Sequence, residues 1–199
     1  MALSPNTVIV PGKGTVFLAP PNTVPFTRTL MAALDPAVSS TYTGWDSFGH
    51  TSRDNTVSLS KDGGDSTNLG SWWDPNLITN RASTSWGMTV NALQMDALTF
   101  QTAFPAGRVT TDGGYAVGSD PGSVEKAVFI LMVNGDKRMG VYGPRVSLSI
   151  GDAPSIATDA FFEIQLSGSM LSATAAASPI AIGDLIYFVP PVTLTPPTT

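Results

Sequence analysis

Gly44-Trp45-Asp46-Ser47-Phe48-Gly49-His50-Thr51-Ser52 begins the stretch on which the fold turns. A polar spacer follows, then Gly63-Gly64-Asp65-Ser66-Thr67-Asn68-Leu69-Gly70-Ser71-Trp72-Trp73. Three of the four tryptophans and the only histidine lie within residues 44–73. Residues 45–52 and 56–61 read as strands. In the second, Val57 and Leu59 alternate with Thr56, Ser58 and Ser60, which predicts one buried face and one hydroxyl face. Asp62-Gly63-Gly64-Asp65 then reads as a turn. Its acids are too irregularly spaced for a calcium loop, and no Glu follows at the bidentate position.

The same pattern continues downstream. Residues 84–91 set Trp86, Met88 and Val90 against Ser85, Gly87, Thr89 and Asn91. Asp96 is a good N-cap for a helix over 97–104, with Ala97, Phe100 and Phe104 on one face and Pro105 and Gly107 ending it. A helix of about two turns cannot stand alone, so it must lie on a sheet. Residues 108–123 read as a Gly-rich loop. An apolar strand over 125–133 meets Asn134-Gly135, a strong hairpin signal because both residues tolerate positive φ. Residues 138–142 return, and 145–150 alternate again. Residues 159–174 are the longest strand candidate, with Phe162, Ile164 and Leu166 opposite Glu163, Gln165 and Ser167. Residues 164–183 carry no charge. An uncharged strand on an exposed edge invites aggregation, so this one is expected to be central or paired within an assembly.

Upstream, residues 7–19 are β-like, interrupted by Pro11-Gly12-Lys13-Gly14. Gly12-Lys13-Gly14-Thr15 lacks the first Gly and the spacing of a phosphate-binding loop, and reads as a turn. Residues 20–43 hold four prolines and read as a long connection, with one helical turn at 30–34. Residues 184–189 form a last short strand. The expected architecture is mainly β: an antiparallel β-sandwich or incomplete barrel with one short α-helix and long loops. It is a single domain over 1–189 with an extended arm at about 20–43, followed by a Pro/Thr-rich tail at 190–199.

Composition narrows the function. A chain of 199 residues buries about 70% of its unfolded surface and needs no staple. There is no Cys, so disulfides, thiol nucleophiles and Cys-ligated metals are excluded. The opening Met1-Ala2-Leu3-Ser4-Pro5 lacks the basic start and apolar run of a signal peptide. No apolar run approaches the roughly 20 residues that span a bilayer. The expectation is a soluble chain made in a cytoplasm. Charged residues make up 13%, against about 25% in ordinary soluble domains. Either the surface is hydroxyl-rich, or copies of the chain cover one another, since interface cores are poor in charge. The net charge of −5 argues against a protein that grips phosphates, though not against one that lets DNA slide past.

Catalysis finds little support. His50 has Asp46, Ser47 and Ser52 nearby, but strand alternation sends neighbours to different faces, and no G-x-S-x-G elbow is present. One His without Cys is a poor start for a zinc site. Two Glu and thirteen Asp offer no identifiable glycosidase pair, and most of the Asp stand beside Gly, Pro, Ser or Asn, as turn formers do. No catalytic residue, cofactor or metal is expected. Trp86 belongs to an apolar face. Trp72-Trp73 is adjacent, so in a strand one ring points outward, as an interface anchor, a lid on the core or a stacking platform for a ligand.

The "GW…GHTS" strand of residues 44–52 and the "GGD…LG…W" segment of 63–73 are followed by the Ser/Thr-rich strand 84–91 and the Gln94-Met95-Asp96 helix start. Together they resemble the major tail (tail tube) proteins of long-tailed, siphovirus-type bacteriophages, particularly those of actinobacterial hosts. The resemblance covers residues 44–104. It implies a structural virion protein, not an enzyme, synthesised in the host cytoplasm. Its subunits would form hexameric rings in which strands of neighbours complete a β-barrel, and the rings would stack into a tube that conducts double-stranded DNA. It further implies the tape measure, tail terminator and distal tail proteins as partners, and no membrane. The candidate subunit interface is Trp45, Phe48, His50, Trp72 and Trp73; Glu163 is the candidate channel-lining acid. Residues 20–43, residues 54–73 and the tail are candidates for ring stacking or the exterior. A capsid decoration protein and a carbohydrate-binding module of a receptor-binding part are the alternatives.

Overall fold

The computed structural model describes residues 8–194. The first strand, β1 (Lys13–Ala19), starts inside the expected interruption, because Lys13 and Gly14 already pair with Val133 and Met132. The connection that follows does not extend away from the subunit. Thr27 caps a short helix, α1 (Arg28–Ala33), so the described residues hold two short α-helices rather than one. Met31 and Leu34 are fully buried, and α1 lies on the central strands where an extended arm was expected. Arg138 ties it down by donating to the carbonyls of Met31 and Leu34, and Arg28 donates to the Pro191 carbonyl at 2.9 Å.

Of residues 45–52 only β2 (Asp46–Ser47) is a strand. Then come β3 (Ser58–Gly63), β4 (Ser66–Leu69), β5 (Ile78–Arg81) and β6 (Thr84–Ala92). Leu59 is exposed, contrary to its expected buried face, because nothing covers β3; Val57 alone reaches the core. Asp96 caps α2 (Ala97–Ala103) by accepting from Thr99 N at 2.9 Å. The fully buried residues of α2 are Thr99, Thr102 and Ala103; of the expected face, Phe100 and Phe104 are half-buried and pack against the same core, while Ala97 is exposed. Inward threonines are tolerated here because their hydroxyls donate to the Gln94 and Leu98 carbonyls. The Gly-rich loop holds a small hairpin, β7 (Arg108–Val109) with β8 (Tyr115–Ala116).

The centre is the hairpin of β9 (Val124–Asn134) and β10 (Lys137–Ile150). Lys137 pairs with Asn134, so the turn is Gly135–Asp136, one residue later than expected, and only Gly135 has positive φ. The two runs at 138–142 and 145–150 are one strand, with a register shift between Gly143 and Val146 where Pro144 cannot donate. Strand β11 (Ile164–Met170) is shorter than expected; residues 151–163 form a loop in which Phe161 and Phe162 are exposed. Strand β12 (Tyr187–Thr193) crosses the expected domain boundary. Pro190 and Pro191 sit where its register against β10 shifts, the kind of edge position in which a missing N–H is tolerated. The rest of the expected tail, 195–199, lies outside the described residues, as does the start of the first expected strand.

These strands form one eight-stranded antiparallel sheet in the order β2-β1-β9-β10-β11-β6-β3, with β12 also on β10. The expected mainly-β, antiparallel architecture is present, and β11 is internal, between β10 and β6. Strand β10 pairs with β9 on one side and forks on the other, to β12 at 137–142 and to β11 at 146–150. Both faces of β1 and β9 are covered. Val16, Leu18, Val128 and Ile130 join Val90, Leu148, Leu166 and Ala103 in one core. Phe17, Ala127, Phe129 and Leu131 join Phe26, Met31, Trp45 and Tyr142 in the other. This explains the unbroken apolar run of β9, which alternation alone would not produce.

Segment 46–52 spans the gap between the two flanks of the curled sheet. It pairs with β1 at Asp46–Ser47 and with β6 through the Thr51–Ala92 bridge, without forming a continuous ladder, so the barrel stays incomplete. Gly49 makes the bend between these contacts. Its φ is +74°, a backbone region that side chains with a Cβ rarely adopt, and a Cβ there would also displace the Gln94 side chain, so the position favours glycine.

Candidate assembly interface

Residues 58–89 form one long hairpin. Its inner part is the β3–β6 ladder, from Ser58–Thr89 to Gly63–Thr84. Gly63 and Gly64, both at positive φ, then bend the incoming limb, with Gly64 N donating to Ser83 O and Ala82 N to Asp65 O. The outer part is the β4–β5 ladder, from Ser66–Arg81 to Leu69–Ile78. No side chain of β3, β4 or β5 is buried. Sequence reasoning missed β4 and β5 altogether, since Ser-Thr-Asn-Leu and Ile-Thr-Asn-Arg alternate against no core.

Turn chemistry builds the tip. Ser71 Oγ accepts from Trp73 N and Asp74 N, Ser71 N donates to Asp74 O, and Asp74 Oδ1 accepts from Asn76 N. This holds Trp72 and Trp73 outward, 105% and 98% exposed. Both rings project, rather than one, because the pair lies in the turn and not in a strand. Leu69, Leu77 and Ile78 beside them are also exposed. Each Trp ring would withdraw roughly 150–250 Å² from water on docking. At about 25 cal/mol/Å² that is about 4–6 kcal/mol per ring before ordering costs.

The structure separates the other candidate residues. Trp45 is 7% exposed and Phe48 1%; each fills a core of its own subunit, so neither ring is available to a neighbour. Trp45 lies 5.1 Å from the Phe26 ring and 6.1 Å from Tyr142. Their placement follows from the Phe48 N–H to Val16 carbonyl bond, which pins the segment across the sheet end. His50 is exposed, on the rim of an open groove of about 760 Å³ shared with Pro36, Tyr42, Asp46 and Gln94. Its carbonyl accepts from Leu93 N. The Ser52 hydroxyl is committed elsewhere, to Glu163.

Glu163 is half-buried just before β11. Its Oε1 accepts from Ser52 Oγ at 2.6 Å, and its Oε2 accepts from Asn55 Nδ2 at 2.8 Å and Asn91 Nδ2 at 2.9 Å. The Ser52 hydroxyl, then the two amides, hold the carboxyl below the ordinary glutamate range against the opposing effect of desolvation.

Beyond Glu163 the outer face of β10, β11, β6 and β3 is nearly free of charge. Ser149, Ser167, Thr89 and Ser58 lie in one cross-strand row, and Ser147, Ser169, Gly87 and Ser60 in the next. At its margin Arg145 forms a two-pronged ion pair with Glu125, at 2.6 and 2.8 Å. The Arg145 bond draws the Glu125 carboxyl below its ordinary range.

The family described as "Phage tail tube protein" matches residues 1–181. The chain is 29% identical over 164 residues to the major tail protein Gp23 of Mycobacterium phage D29, covering 80% of this chain and 82% of that protein. It is 28% identical over the same length to the major tail protein Gp23 of Mycobacterium phage L5, with the same coverage. On the family match over residues 1–181 the chain belongs to the phage tail tube protein family, structural components of the phage tail.

Proposed function

We propose that the chain self-assembles head-to-tail into hexameric rings that stack into a tube conducting double-stranded DNA from capsid to host. The carrying observation is the hairpin of residues 58–89, which buries nothing of β3, β4 or β5 in its own subunit and presents two fully exposed tryptophans. A heterologous contact whose rotation closes gives a ring, and a further contact along the axis stacks rings. The hairpin tip serves that second contact, with Trp72 and Trp73 as anchors. Strand β3 ends the sheet and offers an unpaired edge to a neighbour, so pairing there extends the sheet from subunit to subunit. The tube would sit in the virion, assembled from chains made in the host cytoplasm. Tape measure, tail terminator and distal tail proteins are its proposed partners.

The hydroxyl face of β10, β11, β6 and β3 suits the channel wall. Serine and threonine rows offer no positive charge for phosphates to grip, and six copies at −5 each add long-range repulsion within about 8 Å of the surface. Glu163 stands at one end of this face, with Glu125 beside Ser147 and Asp62 beyond Ser60 as the other acids on its border.

Negative-stain electron microscopy with light scattering tests the proposal. Concentrated wild-type protein should give stacked rings or hollow tubes, and W72A/W73A should remain folded but unstacked. Normal tubes from the double variant would overturn the anchor role. The exposed Trp pair also favours a second reading, glycan stacking. Quenching of Trp fluorescence by oligosaccharides, with no assembly at any concentration, would replace the tube by that reading.

A further inference from the structure

Strand β3 poses a problem of register. In a half-buried strand a one-residue slip carries the apolar set to the wrong face, and that cost fixes the pairing. Strand β3 has no such protection, since all six of its residues are exposed and, among the described residues, it pairs with β6 alone. A slip there would displace everything beyond it, including Trp72 and Trp73. A strand advances about 3.3 Å per residue, so a slip of one or two residues shifts the far end by roughly 3–7 Å.

The Glu163 carboxylate lies where it can prevent this. Its three donors come from the two roots of the hairpin: Ser52 and Asn55 from the chain entering β3, Asn91 from the end of β6. Two backbone groups join the same network, with Ser52 N donating to Asn91 O at 2.9 Å and Asn55 N to Ser52 Oγ at 3.1 Å. Ser52 and Asn91 are buried, so the inner side of the network is shielded from competing water, while Asn55 closes it from the exposed side. All three side-chain donors are neutral, and no ion pair of Glu163 is present among the described residues. The two carboxylate oxygens therefore complete a cluster of donors, each charge-assisted bond being about twice as strong as a neutral one.

We propose that Glu163 is a positioning residue: its carboxylate pins the incoming limb of the hairpin to the outgoing limb, fixes the register of β3 on β6, and so sets where the tryptophan tip is presented. The importance of this pin for assembly rests on the reading above that the tip docks on another copy. The pin itself is a property of the isolated subunit.

Two measurements on full-length E163A, E163Q and wild type separate these statements. The first is amide hydrogen exchange in unassembled protein. Removal of the acceptor should lower the protection of the amides in Ser58–Gly63 about tenfold or more in E163A, while those of β9 keep wild-type values. The glutamine side chain of E163Q can still accept from both asparagines through its amide oxygen and donate to Ser52 Oγ through its amide nitrogen, so this variant should stay within about threefold of wild type. Unchanged protection in E163A overturns the pin. Should E163A lose its cooperative unfolding transition, N55A carries the same test, because it removes one exposed donor and leaves the buried pair intact. The second measurement is tube yield by light scattering. The pin predicts poor assembly for E163A and near-normal assembly for E163Q, whereas a residue acting through charge alone would give equal yields for the two. Loosened β3 amides together with normal E163A tubes would uphold the pin and overturn the docking reading.

Discussion

Strand β9 buries every side chain from Ala127 to Leu131, whereas β3, in the same sheet, buries none of its six. The first is held by two cores, one on each face. The second is held by a single ladder, a glycine bend and the polar cluster around Glu163. Burial specifies the central strands without help from turn chemistry. The hairpin depends on hydrogen bonds and backbone geometry, and its apolar tip stays uncovered. A subunit of an assembly needs both kinds of region, since a hairpin that satisfied itself against its own core would have nothing left to dock.

The contrast breaks most visibly at the aromatic centre. Phe129 is fully buried and meets Phe26 edge-on at 4.9 Å. F129A should cost about 3–5 kcal/mol in urea unfolding, through lost transfer energy and the cavity left behind. G49A comes next. Its positive φ and the approach of Gln94 should cost about 1–3 kcal/mol by the same assay, by straining the segment that joins the two flanks.

The two regions should also fail at opposite ends of the pH scale. Burial pushes the Tyr142 phenol up to about 12. Its contribution is complete below the ordinary tyrosine range and is lost as pH rises towards about 12, because only the unfolded chain ionises easily there. In Y142F the alkaline fall in melting temperature should be shallower than in wild type. Glu163 has the opposite sign. Its folded carboxyl titrates below the ordinary glutamate range, so its contribution is present at and above that range and lost as pH falls through the lower folded value. E163Q should therefore show a shallower acid slope, the remainder including Glu125, which Arg145 lowers in the same direction. The smallest effect belongs to the tip: W72A/W73A should change monomer stability by no more than about 0.5 kcal/mol, since neither ring touches a core. A larger loss in urea unfolding would mean that the hairpin folds back onto its subunit, and would erase the contrast.

Much of the central sheet was legible because its residues alternate or run apolar for a local reason. Residues 84–91, the β9–β10 hairpin and the Asp96 cap are examples. The hairpin beyond Gly64 was not legible, because an uncovered ladder leaves no hydrophobic period to read. The site was half legible. The composition marks Trp72 and Trp73 as unusual, but the equally conspicuous Trp45 and Phe48 are core, and sequence adjacency cannot tell the two situations apart. Glu163 was singled out for its place on a polar face, whereas its three partners are 72 to 111 residues distant along the chain.

By itself the sequence determined the class of this protein: antiparallel β, free of cysteine, poor in charge, with a tail-tube signature in residues 44–104. Those properties are sums or short-range patterns, and they survive without knowledge of contacts. Only the tertiary structure decided which aromatic residues face inward, that residues 20–43 fold onto their own subunit, that residues 58–89 are one projecting hairpin, and that Glu163 joins its two roots. Each of these depends on which distant segment covers which face, and coverage is a property of the folded sheet that no local stretch of chain carries.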